Sequence, residues 1–452
     1  MSSLWRDTYT FAIRPDTESR WNEPKLILGS FLVILLLGTL FLAQPSSHHG
    51  EMSFINALFT ATSAISVTGL GVVDTGSTFT LQGQFFLLVL MEIGGLGQMT
   101  MTVLLLALLS KRVGLRQQVL AKEALGQDGS INIVRLVKRI ILFAFLAQLV
   151  GTAIMACRWV PEMGWAHGLY VSFFHAASAF NNAGFSLFAN NLMDYRDDPL
   201  ISLTVCALLI LGGIGFTVIM DLVRTRKLRK LKLHSKLMLV MTPTLLLIGT
   251  LMFWLLERNN PTTLGELSLG KQWLAAFFQS ASARTAGFNT LDLGHFTPAA
   301  LLFMMMLMFI GAGTTSTGGG IKVTTFAVVL LATRAFLTKR PHVTAFGRTI
   351  APQVVTRSLA IIIVSAMVLM LAMFLLMITE DLPFDRIMFE TISAFATVGL
   401  STGITAQLSE PGKLILVLVM ICGRLGPLTL AVMLARPSET RIKYPEENVH
   451  TG

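Results

Sequence analysis

The sequence predicts an all-α membrane protein: four membrane-helix/pore-loop/membrane-helix repeats around a pseudo-fourfold central pore, with eight spans. Three observations predict it. Of 452 residues, 53% are hydrophobic and only 13% charged, where soluble domains carry about 25%. The stretches 26–50, 200–220, 237–256 and 358–379 hold no Asp, Glu, Lys or Arg, and crossing a hydrocarbon core takes about 20 apolar residues. Finally, one glycine motif recurs four times.

The motif is a Ser/Ala-rich helix end, polar residues, a glycine and a bulky apolar residue. It reads Ser63-Ala-Ile-Ser-Val-Thr-Gly69-Leu70, Ser178-Ala-Phe-Asn-Asn-Ala-Gly184-Phe185, Ala281-Ser-Ala-Arg-Thr-Ala-Gly287-Phe288 and Ser393-Ala-Phe-Ala-Thr-Val-Gly399-Leu400. The glycines are 115, 103 and 112 residues apart, too far for a solenoid and suited to a duplicated membrane unit. A second glycine register follows at Gly94, Gly212, Gly311 and Gly423, offset by 25, 28, 24 and 24 residues. Close helix packing accounts for that second register.

Each unit parses alike. A first span covers 26–44, 138–157, 236–256 or 357–379. A short helix follows at 53–66, 168–180, 271–283 or 385–396, a length typical of re-entrant segments. After the glycine comes a second span, at 83–110, 200–222, 298–335 or 412–435. The chain therefore divides into a cytoplasmic N-terminus 1–25, a first repeat 26–110, and a linker with the second repeat 111–222. A linker with the third repeat 223–335, a linker with the fourth 336–435 and a cytoplasmic tail 436–452 complete it. No signal peptide is expected, because the first 25 residues are polar and no small-residue cleavage site follows the first apolar run.

Charge sets the orientation. The segments 1–25, 111–139, 223–236, 334–357 and 436–452 hold 26 of the 35 lysines and arginines, the positive-inside pattern of cytoplasmic loops. Both termini are then inside. Glu51, Asp74, Asp198, Glu257, Glu380 and Asp385 fall on the outer side, where an acidic mouth raises the local cation concentration. The net charge of +10 is thus read as topology, not as a nucleic-acid surface. Cys157, Cys206 and Cys422 are scattered and form no metal-spaced set, and His48 and His49 read as an exposed pair.

Irregular backbone at membrane depth is tolerated where it lines a protein or water cavity. Glycine lets carbonyl oxygens turn toward a shared axis, and rings of carbonyls replace the hydration shell of potassium. The C-terminal ends of the short helices would add negative dipole. The expected ion-binding residues are Val67, Thr68 and Gly69; Asn182, Ala183 and Gly184; Thr285, Ala286 and Gly287; and Thr397, Val398 and Gly399. With one glycine per unit, selectivity should be weaker than in a Thr-Val-Gly-Tyr-Gly filter. No filter stretch supplies the ring of carboxylates that a divalent-cation site would need.

The third unit departs from the others. Gly311, Ala312, Gly313, Thr314, Thr315, Ser316, Thr317, Gly318, Gly319, Gly320 and then Lys322 cannot all be helical, given the glycines and the competing Thr/Ser hydroxyls. An unwound loop there, about one helical span inside the third filter glycine, is a gate candidate. Arg424 lies at the corresponding depth of unit four, where a charge normally faces a cavity or partner; it would raise a barrier below the filter. Arg284 is expected to point away from the axis toward an acid such as Glu390. Glu92 reads equally as a vestibule lining or a helix-packing residue.

On these motifs the chain resembles the Trk, Ktr and HKT potassium transporter superfamily over nearly its whole length. The stretches 62–74, 159–165, 178–185, 282–289, 311–325 and 389–399 resemble the bacterial Ktr membrane subunits (KtrB type) most. Trk membrane subunits carry two further N-terminal spans, whereas only polar sequence precedes Leu26 here. The resemblance implies that Gly69, Gly184, Gly287 and Gly399 are filter glycines, that 311–322 is the intramembrane gating loop, and that Arg424 is the arginine beneath the filter. It implies potassium uptake across the bacterial cytoplasmic membrane, typically sodium-dependent, by a homodimer in membrane lipid. It further implies control by a cytoplasmic nucleotide-binding regulatory subunit, a KtrA-like ring. The linker 111–139 is too short to be such a domain and holds no nucleotide fingerprint. No cofactor is expected on the chain beyond potassium as cargo and sodium as activator. An alternating-access secondary transporter is the rival reading, since broken helices also mark that class. A membrane enzyme is not expected, because no His/Glu/Asp set recurs at useful spacing.

Overall fold

The computed structural model describes residues 17–97, 133–225, 227–314 and 316–426. The expected linker 111–139 lies mostly outside them. So do the tail 436–452, most of the N-terminus 1–25, and Thr315 of the loop.

The described chain is almost entirely helical. Helix α1 is Thr17–Leu42 and α2 is Phe54–Ile65; α3 is Leu81–Gly95. In the second unit follow α4 (Ile133–Met163), α5 (Trp165–Phe180), α6 (Pro199–Gly213) and α7 (Phe216–Thr225). The third holds α8 (Leu233–Glu257), α9 (Leu269–Ser282), α10 (Pro298–Phe309) and α11 (Val323–Leu337). The fourth holds α12 (Pro352–Thr379), α13 (Phe384–Phe395) and α14 (Glu410–Leu425). A two-stranded ribbon, β1 (Thr344–Ala345) against β2 (Arg348–Thr349), joins α11 to α12. Among the described residues α8, α12 and 137–163 of α4 are long and apolar enough to cross a membrane, and the bent pair α6–α7 makes a fourth.

The second span of unit two is not one continuous helix, and of the expected spans 83–110 and 412–435 the residues past 97 and past 426 lie outside those described. The stretch 200–222 breaks after Gly213, and α7 leaves α6 at 89°. Gly215 there has φ +99°, a left-handed conformation that glycine adopts without strain. Gly97 after α3 and Gly426 after α14 have φ +85° and +88°, so these helices also stop at their second glycine register. The third unit breaks more widely, between Phe309 and Val323.

The second-register glycines explain how these helices approach the short ones. A Cβ on Gly94 would collide with the carbonyl of Ile65, on Gly212 with that of Phe180, and on Gly423 with that of Phe395. Each acceptor is the last residue of α2, α5 or α13. In the third unit Gly311 instead faces the Gly319 carbonyl of its own loop.

At the opposite ends, polar side chains start each second helix. Thr80, Asp198, Thr297 and Ser409 cap α3, α6, α10 and α14 through their side-chain oxygens, satisfying otherwise orphaned N–H groups. Three of the caps are held by charged groups at the ends of first helices. Arg158 pairs with Asp198 at 2.8 Å. Glu257, fully buried, accepts from Thr297 N at 2.9 Å and Oγ1 at 2.7 Å. Glu380 accepts from Ser409 N at 3.0 Å.

Hydrogen bonds join successive units and close the circuit. Tyr170 donates to Gln84 at 2.8 Å, Leu192 N to Asn289 O at 3.1 Å, Arg386 to Gly294 O at 2.9 Å, and Lys413 to Asn56 at 3.0 Å.

Candidate functional site: a carbonyl ring and the loop beneath it

Each short helix ends one or two residues before its filter stretch. In units one, two and four the pre-glycine N–H reaches back to the serine that opens the motif. Thr68 N donates to Ser63 O, Ala183 N to Ser178 O and Val398 N to Ser393 O, each at 2.8 Å. The Ser63 and Ser393 hydroxyls also accept from Gly69 N at 3.0 Å and Gly399 N at 3.1 Å. Unit three, with Ala281 at the matching position, is held differently. Ala286 N donates to Ser282 O at 3.0 Å, and the Ser282 hydroxyl donates to Phe288 O.

All four stretches share one backbone shape. The filter glycines Gly69, Gly184, Gly287 and Gly399 have φ of +90°, +71°, +74° and +87°. Two residues earlier, Val67, Asn182, Thr285 and Thr397 have φ of +57°, +58°, +69° and +50°. Three of these are β-branched, for which left-handed backbone is a rare conformation that costs about 1–3 kcal/mol. Its recurrence at one register in four units marks it as a property of the site.

The four glycines stand next to one another in chain order. A Cβ on Gly69 would lie 2.9 Å from Gly184 Cα, and one on Gly184 would lie 2.8 Å from Gly287 Cα. On Gly287 it would lie 2.7 Å from Val398 O, and on Gly399 2.9 Å from Gly69 Cα. The carbonyl oxygens of Ala183, Ala286, Val398 and Thr68 each occupy the space that a side chain on the neighbouring unit's glycine would take. Four carbonyls thus converge, and each is admitted by a glycine. Thr68, Ala183, Ala286 and Val398 are all fully buried.

The segment 311–322 packs directly against this ring, closer than a helical span away. Gly318 meets the Thr285 hydroxyl, Gly319 the Thr397 hydroxyl, and Gly320, with φ +66°, lies against Ala396. The Thr317 hydroxyl is 3.3 Å from Asn182 Oδ1. The loop therefore touches filter segments two, three and four. Its own backbone is tied down by Gly311 N to Ile321 O at 2.9 Å and Gly313 N to Gly213 O at 2.9 Å. Ser316 donates to Gly313 O at 2.7 Å, and the Thr314 and Thr324 hydroxyls are 2.9 Å apart. Lys322 turns back and donates to Gly318 O at 2.7 Å. Ala312 accepts from Val323 N at 3.2 Å.

Arg424 completes the arrangement. Its guanidinium donates to Thr317 O in the loop and to Gly94 O on α3. One side chain of unit four thereby joins the loop to α3 of unit one.

Arg284 does not meet Glu390. The Glu390 carboxylate, 1% exposed, already accepts from Ser401 Oγ at 2.5 Å, Thr402 N at 3.1 Å and Thr405 Oγ1 at 2.9 Å. Its partners are in the segment that follows Gly399, so a hydrogen-bonded carboxylate braces the chain just beyond the fourth glycine motif. Arg284 is buried, and its Nε has no partner. Sequence reasoning also missed the role of the motif serines and the left-handed residue two positions before each glycine. The serines were visible in the repeat; the left-handed residues, as Val, Asn and Thr, carried no signal.

Comparison with known proteins agrees with the geometry. The TrkH family, described as cation transport proteins, matches residues 11–444. The chain is 59% identical over 437 residues to the Ktr system potassium uptake protein B of Vibrio alginolyticus, covering 96% of each chain. It is 44% identical over 433 residues to the protein of the same name from Bacillus subtilis, covering 96% of this chain and 97% of that one. The crystal structure of the potassium transporter TrkH from Vibrio parahaemolyticus shares the fold, with a TM-score of 0.74 at 20% identity, covering 93% of this chain and 86% of that one. A multi-pass membrane protein on these grounds, the chain belongs to the TrkH family of cation transport proteins and resembles its Ktr branch most.

Proposed function

We propose that the chain is the ion-translocating subunit of a Ktr-type potassium uptake system. The observation that carries this reading is the closed set of four carbonyls at Thr68, Ala183, Ala286 and Val398, each lodged against a neighbouring glycine. Four neutral oxygens at the ends of four helices favour a weakly hydrated monovalent cation. In this reading the chain makes eight spans in four repeats, with both termini cytoplasmic and the ring at membrane depth. The ion then enters from the acidic outer side and permeates as in a channel.

The loop 311–322 and Arg424 act as the gate. Their support is contact: the loop lies against three filter segments and the arginine fastens it to the fourth unit's helix and to α3. A cytoplasmic regulatory ring moves the loop by pulling on the helices that flank it, and the chain works as a homodimer. Sodium acts as an activator. Expression in a bacterial strain lacking its own potassium uptake systems tests the reading, with and without a regulatory subunit. Saturable potassium uptake that the regulator stimulates supports it; a fixed proton or sodium stoichiometry would favour the alternating-access class instead.

A further inference from the structure

The four filter glycines are not held alike. In units one and four the grip is internal, since the motif hydroxyls of Ser63 and Ser393 accept from Gly69 N and Gly399 N. Unit three has Ala281 at that position and no hydroxyl to offer. In unit two the Ser178 hydroxyl is buried and has no partner among the described residues. Units two and three are joined instead by the segment that follows Gly184.

Asn191 makes the join. Its Nδ2 donates to Gly287 O at 3.4 Å, and the next residue, Leu192, donates through its N–H to Asn289 O at 3.1 Å. Among the described residues Gly287 O is the one filter-glycine carbonyl that accepts a side-chain hydrogen bond. It is the first carbonyl past Ala286 O of the ring. The other amide atom, Asn191 Oδ1, has no partner among them, so loss of the amide removes the bond to Gly287 and no other.

The segment that carries Asn191 is fixed from α5. Asn191 has φ +56°, a left-handed backbone that asparagine adopts more readily than most residues, and its N–H donates to Phe188 O at 3.0 Å. His175 on α5 is fully buried. Its Nδ1 lies 2.8 Å from Val171 O, a carbonyl that can only accept, so Nδ1 carries the proton. Nε2 then accepts from the Ser186 hydroxyl at 3.0 Å, and Ser186 Oγ in turn accepts from Phe188 N at 3.0 Å. The His175 ring stacks on Phe188 at 4.8 Å and lies 4.9 Å from the Trp159 ring. A bracket thus runs from α5 to a carbonyl of the next unit.

We propose that Asn191 is a positioning residue for the filter, holding Gly287 O so that unit three does not close around an ion smaller than potassium. The inference rests on the potassium-uptake reading. A carbonyl ring that replaces the hydration shell of potassium serves sodium as well if its oxygens are free to move inward. A tethered carbonyl resists that movement, and the amide from unit two supplies the tether that Ala281 cannot.

Potassium and sodium binding to the purified full-length chain in detergent, read by isothermal titration calorimetry, tests this. Asn191→Gly removes the amide and keeps the left-handed backbone unstrained. Its preference for potassium, the ratio of the two dissociation constants, should fall about fivefold or more from wild type, chiefly through tighter sodium binding. In cells, sodium should inhibit rubidium uptake at a correspondingly lower concentration, with the maximal rate at saturating rubidium unchanged. Asn191→Asp also suits left-handed backbone but sets an oxygen against Gly287 O. It should lose the preference too, and it carries the test if the glycine variant does not fold. An unchanged ratio in a variant that elutes as wild type does on gel filtration overturns the proposal. So does a variant that melts several degrees lower and keeps the ratio, since Asn191 then only stabilises the fold. Binding is read without transport, so a wild type that binds potassium and takes none up would sink the uptake reading and leave the role of Asn191 standing.

Discussion

The guanidinium of Arg424 donates to the carbonyl of Thr317, fastening the end of α14 to the loop under the filter. Its second donor goes to Gly94 O on α3. Arginine presents its five N–H groups in a rigid fork, so one residue holds two elements in fixed relation. Arg424→Ala removes both bonds and the local positive charge. Potassium flux should rise severalfold and depend less on the regulatory subunit, while the KM for potassium changes less than twofold, as ion-flux assays in proteoliposomes with and without the regulator would read. Arg424→Lys should be intermediate, because an ammonium spans the two carbonyls less well. Variants that fold yet carry no more potassium than wild type would show that the loop is a packing feature only.

The brace at Glu390 gives a second expectation. Glu390 holds Ser401, Thr402 and Thr405, the residues just beyond Gly399. Glu390→Ala leaves these donors without their acceptor and frees the segment. Discrimination between potassium and sodium, measured as sodium inhibition of rubidium uptake, should fall severalfold. Unaltered competition would separate Glu390 from selectivity.

Glu257 should matter to stability and little to selectivity. Buried, it accepts from both the N–H and the hydroxyl of Thr297, from Thr263 Oγ1 at 2.6 Å and from Asn260 Nδ2 at 2.7 Å. Stranding several buried donors costs about 1–3 kcal/mol each before relaxation. Glu257→Ala should therefore lower the melting temperature in detergent by several degrees or more, with Glu257→Gln recovering part of the loss. An unchanged melting curve would contradict the role given to this carboxylate.

If a regulatory ring binds this chain, the basic segments 111–139 and 223–236 should carry the contact, and the second of them follows α7. Lys227, Arg229 and Lys230 surround a single exposed turn, and Arg226 in the sequence adds a fourth charge. Neutralising all four should weaken binding of a purified regulatory ring about tenfold or more. Intact binding with intact topology would move the contact elsewhere.

Much of this was legible because it was repeated. The short helices fall within a few residues of where the Ser/Ala-rich motif set them, 271–283 against Leu269–Ser282 and 385–396 against Phe384–Phe395, whereas first helices outrun their apolar runs, Thr17–Leu42 against 26–44 and Ile133–Met163 against 138–157. The unwound third unit was legible because Gly318, Gly319 and Gly320 together exclude helix. The breaks after Gly213, near Gly97 and at Gly426 were not, since glycine inside an apolar run suits close packing and left-handed turns equally, and only the fold shows both in use. Nor could spacing show that Glu390 is spoken for by Ser401 and Thr405, which left Arg284 without the partner expected of it. Arg424 was singled out by its cost in a membrane; its partner Gly94 O, a backbone atom more than 300 residues away, has no sequence signature.

The central claim is that potassium passes the ring made by Thr68, Ala183, Ala286 and Val398, and the filter glycines test it most directly. A serine Cβ at Gly69, Gly184, Gly287 or Gly399 would press on the neighbouring carbonyl or Cα and would have to adopt a positive φ. Potassium uptake as a function of concentration, in a strain without its own uptake systems, should show the KM raised about tenfold or more, a loss of about 1.4 kcal/mol in binding, for serine at each of the four positions. Gly270→Ala, at a position with nothing within 4 Å, serves as the control and should match wild type. An unchanged KM in all four serine variants, each present in the membrane at wild-type level, would contradict the ring as the path of the ion.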